Sequence, residues 1–373
     1  MTRILIIGGY GVFGHRLVRI LNNDPAFDLL IAGRDLRAAQ ACCESLPMPT
    51  RATPCRLDIK DVATKIPQLQ PDLIVHAAGP FQGQDYQVAR AAISAEIPYV
   101  DLSDGRVFSE GFSILDKKAR DAGVFALTGV STTTALSSAA AVRLARQFKQ
   151  VSTVEIGVTP GNRAPRGKAV IATILSYVGE PIAQLRDGDI VPVTGWGMLS
   201  KVKLKGLSPR WFSPVDTADQ MSIKNILPEV QTIKFSAGLE LGVLHLPLYA
   251  LAMMRKRKLL PNLQGFTSVF YLVAKLLEPF GSGDGGMFVE VDGRAHDGSA
   301  QRVRWTLTAT EGDGPNIPAM AAAAVARKFN RKGMIAPGAR MCAGEVTLED
   351  FEKEFSAFSI QTHIEVRHDA TLL

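Results

Sequence analysis

Arg3-Ile4-Leu5-Ile6-Ile7-Gly8-Gly9-Tyr10-Gly11-Val12-Phe13-Gly14 is the stretch that decides the fold. Its unbroken aliphatic run, residues 4–7, has the pattern of a strand buried on both faces of a parallel sheet. Beyond the glycines, residues 15–21 set Leu17, Val18, Ile20 and Leu21 on one helical face. The spacing Gly9-x-Gly11-x-x-Gly14 therefore stands between a strand and a helix. There the glycines serve three physical ends, which are a tight turn, close approach of backbone to a diphosphate, and close packing of helix on strand. The amino end of the helix then offers N–H groups and partial positive charge to phosphates.

Working outward, further strands are expected near residues 28–32, 52–57, 72–78, 98–102 and 124–128. Helices are expected between them near 36–45, 85–96 and 112–122. Strands alternating with helices through short connections make a doubly wound parallel sheet, a Rossmann domain, over residues 1–130. After that the pattern changes. A helix over 133–147 precedes strands with alternating character at 152–159, 287–294 and 301–310. Residues 131–373 therefore read as a second domain of α+β type, with a mixed sheet and a C-terminal tail able to fold back on the first domain. The fold class is α/β with this second, α+β domain. Residues 187–234 resist assignment beyond short strands in their Val-x-Val and Lys-Val-Lys-Leu-Lys alternations.

The 373 residues suit two domains, and 46% hydrophobic with 21% charged residues excludes a disordered chain. A net charge of +6 and a pI near 9.1 suit an anionic ligand, but Lys and Arg are scattered, so no nucleic-acid partner is expected. Cys42, Cys43, Cys55 and Cys342 lack C-x-x-C spacing, which points to a reducing compartment, and no residue cluster has metal-ligand spacing. Met1-Thr2-Arg3 runs straight into the strand with no leader-like stretch, so a cytoplasmic address is expected.

The end of the second strand chooses between cofactors. An acidic residue there bonds the ribose 2′-OH of NAD, whereas an arginine accommodates the 2′-phosphate of NADP. Arg34 sits at that tip, so NADP is favoured over NAD, the alternative being that Asp35 takes the ribose. Asp58, ending the third strand, is a candidate neighbour of the adenine or a helix cap. The fourth strand ends in His76-Ala77-Ala78-Gly79-Pro80-Phe81, where Ala78 and Gly79 let a cofactor lie close to backbone. Phe81 is placed as a wall for the nicotinamide or as core, and His76 as a buried histidine. The expected cofactor-binding set is thus Gly9, Tyr10, Gly11, Val12, Phe13, Gly14, Arg34, Asp58, Ala78, Gly79 and Phe81.

Gly9-Tyr10-Gly11-Val12-Phe13-Gly14, Ala32-Gly33-Arg34-Asp35, Ala78-Gly79-Pro80-Phe81 and Tyr99-Val100-Asp101-Leu102-Ser103-Asp104 together resemble the NADP-binding domain of the saccharopine dehydrogenase-like family. The resemblance continues through Asn162-Arg163-Ala164-Pro165-Arg166-Gly167 and Gly285-Gly286-Met287, and so covers most of the chain. It implies an oxidoreductase with a substrate domain whose sheet lies over the nicotinamide, usually in a homodimer. In the best-known members hydride moves between C4 of the nicotinamide and an imine carbon formed from an amino acid and a carbonyl compound. The glycines also satisfy G-x-x-G-x-x-G, the short-chain dehydrogenase spacing. Its partner motif Tyr-x-x-x-Lys occurs only at Tyr271 and Lys275, too late in the chain to pair with it.

Hydride transfer needs a group that handles a proton. Asp101 and Asp104 follow the fifth strand, where a pair of carboxylates can raise one pKa far enough to serve as an acid; Ser103 or Asp104 could equally cap a turn. Ser131 and Thr132 read as the cap of the helix that follows. Arg163 and Arg166, with Lys168, put three cations within six residues and are candidates to clamp a substrate carboxylate, the alternative being a solvated charged loop. Residues 241–254 are almost wholly apolar, Arg255-Lys256-Arg257-Lys258 is basic, and 266–277 is apolar again. Neither piece has the ~18 residues a membrane span needs. Two packed helices explain them, or a hairpin within 239–280 in peripheral contact with a membrane or covering a lipid-like substrate. The expected activity is therefore NADP-dependent hydride transfer to or from an imine or carbonyl of a small metabolite. The alternatives are a membrane-surface reductase of a lipid-like substrate and a non-catalytic dinucleotide-binding protein.

Overall fold

The computed structural model describes residues 1–367 and holds two compact units. One is Met1–Ala139 together with Asn316–Glu354; the other is Ala140–Pro315 together with the chain from Phe355. A division at residue 130 was expected, with a C-terminal tail able to fold back on the first domain; the observed boundary falls after Ala139, and the segment grouped with the first unit is Asn316–Glu354, while the chain from Phe355 stays with the second.

In chain order the first unit begins β1 (Thr2–Ile7), α1 (Val12–Asn22), β2 (Phe27–Gly33), α2 (Leu36–Glu44), β3 (Ala52–Arg56), α3 (Val62–Leu69) and β4 (Leu73–His76). It continues α4 (Gln87–Ser94), β5 (Tyr99–Asp101), α5 (Arg106–Gly111), α6 (Asp116–Asp121), β6 (Phe125–Thr128) and α7 (Ala135–Ala145), the last crossing into the second unit. The second unit holds β7 (Phe148–Thr159), α8 (Lys168–Tyr177), β8 (Pro181–Arg186), β9 (Asp189–Thr194), β10 (Ser200–Val202) and β11 (Arg210–Pro214). Then follow α9 (Asp219–Ile226), β12 (Thr232–Leu239), α10 (Gly242–Lys256), α11 (Thr267–Leu276), β13 (Gly285–Ala295) and β14 (Ala300–Ala309). The chain returns to the first unit as α12 (Ile317–Asn330), β15 (Gly338–Met341) and α13 (Leu348–Phe355), and ends in β16 (Ile360–Arg367). The single helix expected over 112–122 is instead a 3-10 turn at Phe112–Leu115 followed by α6.

The first sheet is parallel throughout, in the order β15-β6-β5-β4-β1-β2-β3. Strand order reverses at β1, which pairs with β2 on one side and β4 on the other; ligands bind such sheets at that crevice. Ile4, Leu5, Ile6 and Ile7 are all buried, each contributing about 1.5–3 kcal/mol on transfer from water. α1 buries Gly14, Leu17, Val18 and Leu21, one face at helical spacing. Against it packs α12, which is buried continuously from Ala319 to Ala326.

The second sheet runs β10-β11-β12-β7-β13-β14-β16 and is mixed: β12 and β7 are parallel, and the other pairs antiparallel. Val154, Ile156, Val289, Val291, Val303 and Trp305 bury one face. Across the other, Lys234, Glu155, Glu290 and Arg304 stand in register, with Arg304 Nε 2.6 Å from Glu290 Oε2. β8 and β9 form a separate hairpin whose two loop residues, Asp187 and Gly188, both have positive φ, as the turn matching strand twist requires.

Candidate dinucleotide site

The glycine turn is built by backbone pressed on backbone. Gly8 has φ +82°, and a Cβ on it would stand 2.8 Å from Ala78 N, so the carboxyl ends of β1 and β4 touch here. A Cβ on Gly14 would meet Gly8 O at 2.1 Å, which seats the first turn of α1 on the loop. Gly9 fits against Ile6 and Ile31, and the Gly11 N–H donates to Gly8 O at 2.9 Å. Gly11 is also the N-cap of α1 and, having no side chain, cannot cap it. The first-turn N–H groups have no intrahelical partner and receive no side-chain cap, while the side chains of Val12 and Phe13 are exposed. An uncapped helix tip beside a turn too narrow for a Cβ fits a diphosphate.

At the end of β2 the Tyr10 ring covers Gly33, where a Cβ would stand 2.4 Å from the ring. Its hydroxyl accepts the Asp35 N–H at 3.1 Å. Asp35 Oδ1 accepts the N–H groups of Arg37 and Ala38 at 2.9 and 3.2 Å and so caps α2. Arg34 is exposed and makes no hydrogen bond or ion pair among the described residues. Asp58 caps the 3-10 turn Ile59–Asp61 by accepting the Lys60 N–H at 3.1 Å, the local role open to it from the start.

At the end of β4, Ala78 and Gly79 lie on the loop that follows the strand, and Gln84 Nε2 ties that loop down through the carbonyls of Ala78 and Pro80. Phe81 is corrected from wall to core: its ring is buried against His76 and Phe108, with centroids 5.1 and 5.3 Å away. His76 Nδ1 lies 3.2 Å from the Tyr99 hydroxyl, and burial lowers the histidine pKa to about 4.

Asp101 is also corrected. It is fully buried, and its Oδ1 accepts the Ser103 N–H (3.0 Å), the Thr128 hydroxyl (2.8 Å) and the Gly129 N–H (3.1 Å). Burial raises its pKa to about 6, and hydrogen bonds from Ser103, Thr128, Gly129 and Tyr99 limit the rise. A carboxyl so enclosed staples the end of β5 to the end of β6 and has no access to a substrate. Asp104 keeps contact with solvent, accepts from Gln82 Nε2 at 3.3 Å, and has its pKa raised by the crowding around its carboxyl. Ser103 Oγ accepts the Gly105 N–H at 3.2 Å, a turn cap.

In the second unit Arg166 Nη2 is engaged by its own loop, through Asn162 O and Asn162 Oδ1, the latter at 2.8 Å. One nitrogen of the Arg166 guanidinium is thus held by the loop that carries it. Arg163 donates to Pro279 O at 3.1 Å and stays exposed. Sequence reading missed the neighbouring pair Arg210 and Glu240. Arg210 Nη1 donates to Thr159 Oγ1 (3.1 Å), and its Nη2 donates to Asp284 O (2.8 Å) and lies 3.6 Å from Glu240 Oε1. Glu240 accepts the N–H groups of Asn162 and Ser282 and the Ser282 hydroxyl. Burial alone would raise the Glu240 pKa, but those bonds and the Arg210 charge hold it below the ordinary value. Nothing local signals this knot, because its partners are drawn from four separate segments. Among the described residues no His, Cys, Asp and Glu are grouped so as to hold a metal ion.

A parallel sheet with an uncapped helix tip at its reversal point is an arrangement that suits a dinucleotide. Residues 4–127 match the family model of the saccharopine dehydrogenase NADP binding domain, so the first unit is similar to that domain and the chain is an NAD(P)-dependent oxidoreductase. Among solved structures it is similar to the apo saccharopine dehydrogenase (L-Glu forming) of Saccharomyces cerevisiae, at 13% identity over 98% of this chain and 100% of that one, with a TM-score of 0.68. It is also similar to the homospermidine synthase of Legionella pneumophila solved with NAD, at 10% identity over 100% and 92% of the two chains, with a TM-score of 0.62. At such identities the likeness is one of fold. No curated protein matches the chain.

Proposed function

We propose that the chain transfers a hydride between NADP, in preference to NAD, and an imine or carbonyl carbon of a small metabolite. One observation carries the preference for NADP. Asp35, the carboxylate that could bond a ribose 2′-OH, has its Oδ1 engaged in capping α2, while the adjacent Arg34 is exposed with no internal partner among the described residues. A guanidinium so placed supports binding of a 2′-phosphate by a charge-assisted bond of about 1.5–3 kcal/mol. Fluorescence titration tests this: Arg34→Ala weakens NADPH binding by about 10- to 100-fold and leaves NADH within about twofold. Equal affinities for both nucleotides, unmoved by the substitution, would remove the preference.

When bound, a nicotinamide supplies or accepts the hydride. The first turn of α1 would hold the diphosphate, and Ala78 and Gly79 leave room along the backbone. Proton handling falls to Asp104, because Asp101 is sealed off and Asp104 keeps solvent access with a raised pKa. A carboxyl acts as an acid while protonated, so reduction slows as pH rises through its pKa. With an acceptor found by screening imines, ketones and enoyl compounds against NADPH oxidation, Asp104→Asn lowers kcat by about 100-fold and flattens that alkaline fall. Wild-type turnover in the variant would remove Asp104 from the mechanism. A wild-type protein that binds NADPH yet oxidises it with no acceptor would be a non-catalytic binder.

A further inference from the structure

The helices of the second unit leave an apolar face in water. α11 sits against α8, where Lys168 Nζ lies 5.7 Å from the Tyr271 ring centroid, yet α11 buries no residue of its own. Phe266, Val269, Leu272, Val273, Leu276 and Phe280 recur at spacings of three and four, the pattern of a helix face that packs on a core. Here that stripe is exposed: Val269 57%, Leu272 58%, Leu276 65%, Phe280 75%. α10 repeats the arrangement with Val243, Leu246 and Met254, also exposed.

Charge on this face has one sign. No acidic residue lies between Glu240 and Glu278, a span that carries Arg255, Lys256, Arg257, Lys258 and Lys275. Arg255 turns inward to Glu180 and to the carbonyls at the end of α8. Lys256, Arg257 and Lys258 stay exposed at the carboxyl end of α10 and form no ion pair among the described residues. A second copy of the chain fits poorly, because a two-fold interface sets a patch against itself and would bring these cations together. No helix among the described residues is long and apolar enough to cross a membrane. Apolar stripes flanked by exposed Lys and Arg suit a surface that is greasy below and anionic above.

We propose that the α10–α11 face docks on an anionic lipid bilayer, its apolar stripes at the acyl boundary and Lys256, Arg257 and Lys258 among the headgroup phosphates. The test is co-sedimentation of the full chain with phosphatidylcholine vesicles, with and without about one third phosphatidylglycerol. Binding is expected only with the anionic lipid. Each cation near such a surface is worth about fivefold in partitioning, so replacing Lys256, Arg257 and Lys258 together by Gln weakens binding on the order of 100-fold. Leu272→Glu with Leu276→Glu abolishes it at any salt concentration. NADPH titration of each variant reports that it is folded, and the Gln variant changes only exposed side chains. Absence of binding to the anionic vesicles overturns the proposal. So does equal binding to both vesicle types that ignores the Gln substitutions. Failure to bind vesicles, together with a solution oligomer that dissociates on Leu272→Glu, would overturn it in favour of a second copy.

Discussion

Glycine lets backbone press on backbone at the end of a sheet in two regions of this molecule, and only one of them leaves hydrogen-bond donors over. In the turn after β1, Gly8 and Gly14 permit the contact, and the uncapped first turn of α1 faces outward. In the second unit a Cβ on Gly161 would meet Gly283 C at 2.5 Å, an equally tight fit. There, however, the N–H groups of Asn162 and Ser282 donate to Glu240, and the Arg163 N–H donates to Ser282 O. Close glycine packing is thus a device for bringing segments together, and what marks a ligand site is donors without internal partners.

The comparison breaks first at Gly14. Gly14→Ala drives a methyl into the fixed carbonyl of Gly8, so a loss of about 3 kcal/mol in denaturant unfolding and at least about tenfold weaker NADPH binding are expected. Unchanged stability and affinity would show that backbone contact does not shape the turn. At the other region, Arg210→Met strands Glu240 and the carbonyls of Thr159 and Asp284, for a loss of about 3 kcal/mol with NADPH affinity unaltered. A large change in affinity would mean that the two regions are not functionally distinct. The last effect touches neither glycine region and is a slope of stability with pH. The folded pKa of Asp101, about 6, stands above its ordinary 3.8, so the folded state holds the proton more tightly. Its contribution is fully present below pH 3.8 and declines by roughly 3 kcal/mol as pH rises to about 6. Urea midpoints across that window should fall for the wild type and lack this component in Asp101→Asn; parallel curves would contradict the buried, protonatable staple.

Much of the first sheet was legible because a strand buried on both faces writes itself as an aliphatic run, as residues 4–7 and 73–75 do. The edge strand β15 was not, since Gly338–Met341 is four residues long and pairs with β6 more than two hundred positions earlier. Fingerprint glycines were readable because what they do is local. Asp101 was misread for the opposite reason: a carboxylate at a strand end looks available until Thr128 and Gly129, 27 and 28 residues on, close over it. For Arg166 the sequence shows a charge but not the direction of a side chain, and Asn162 four residues earlier holds one of its nitrogens. Arg210 and Glu240 had no local signature at all.

The first unit is assembled from two stretches of chain with residues 140–315 between them. On the ribosome its sheet must therefore wait, with β6 as a bare edge and the outer face of α1 unshielded, until α12 and β15 emerge. A fragment cut after residue 139 would keep the whole glycine turn and still be expected to associate edge to edge.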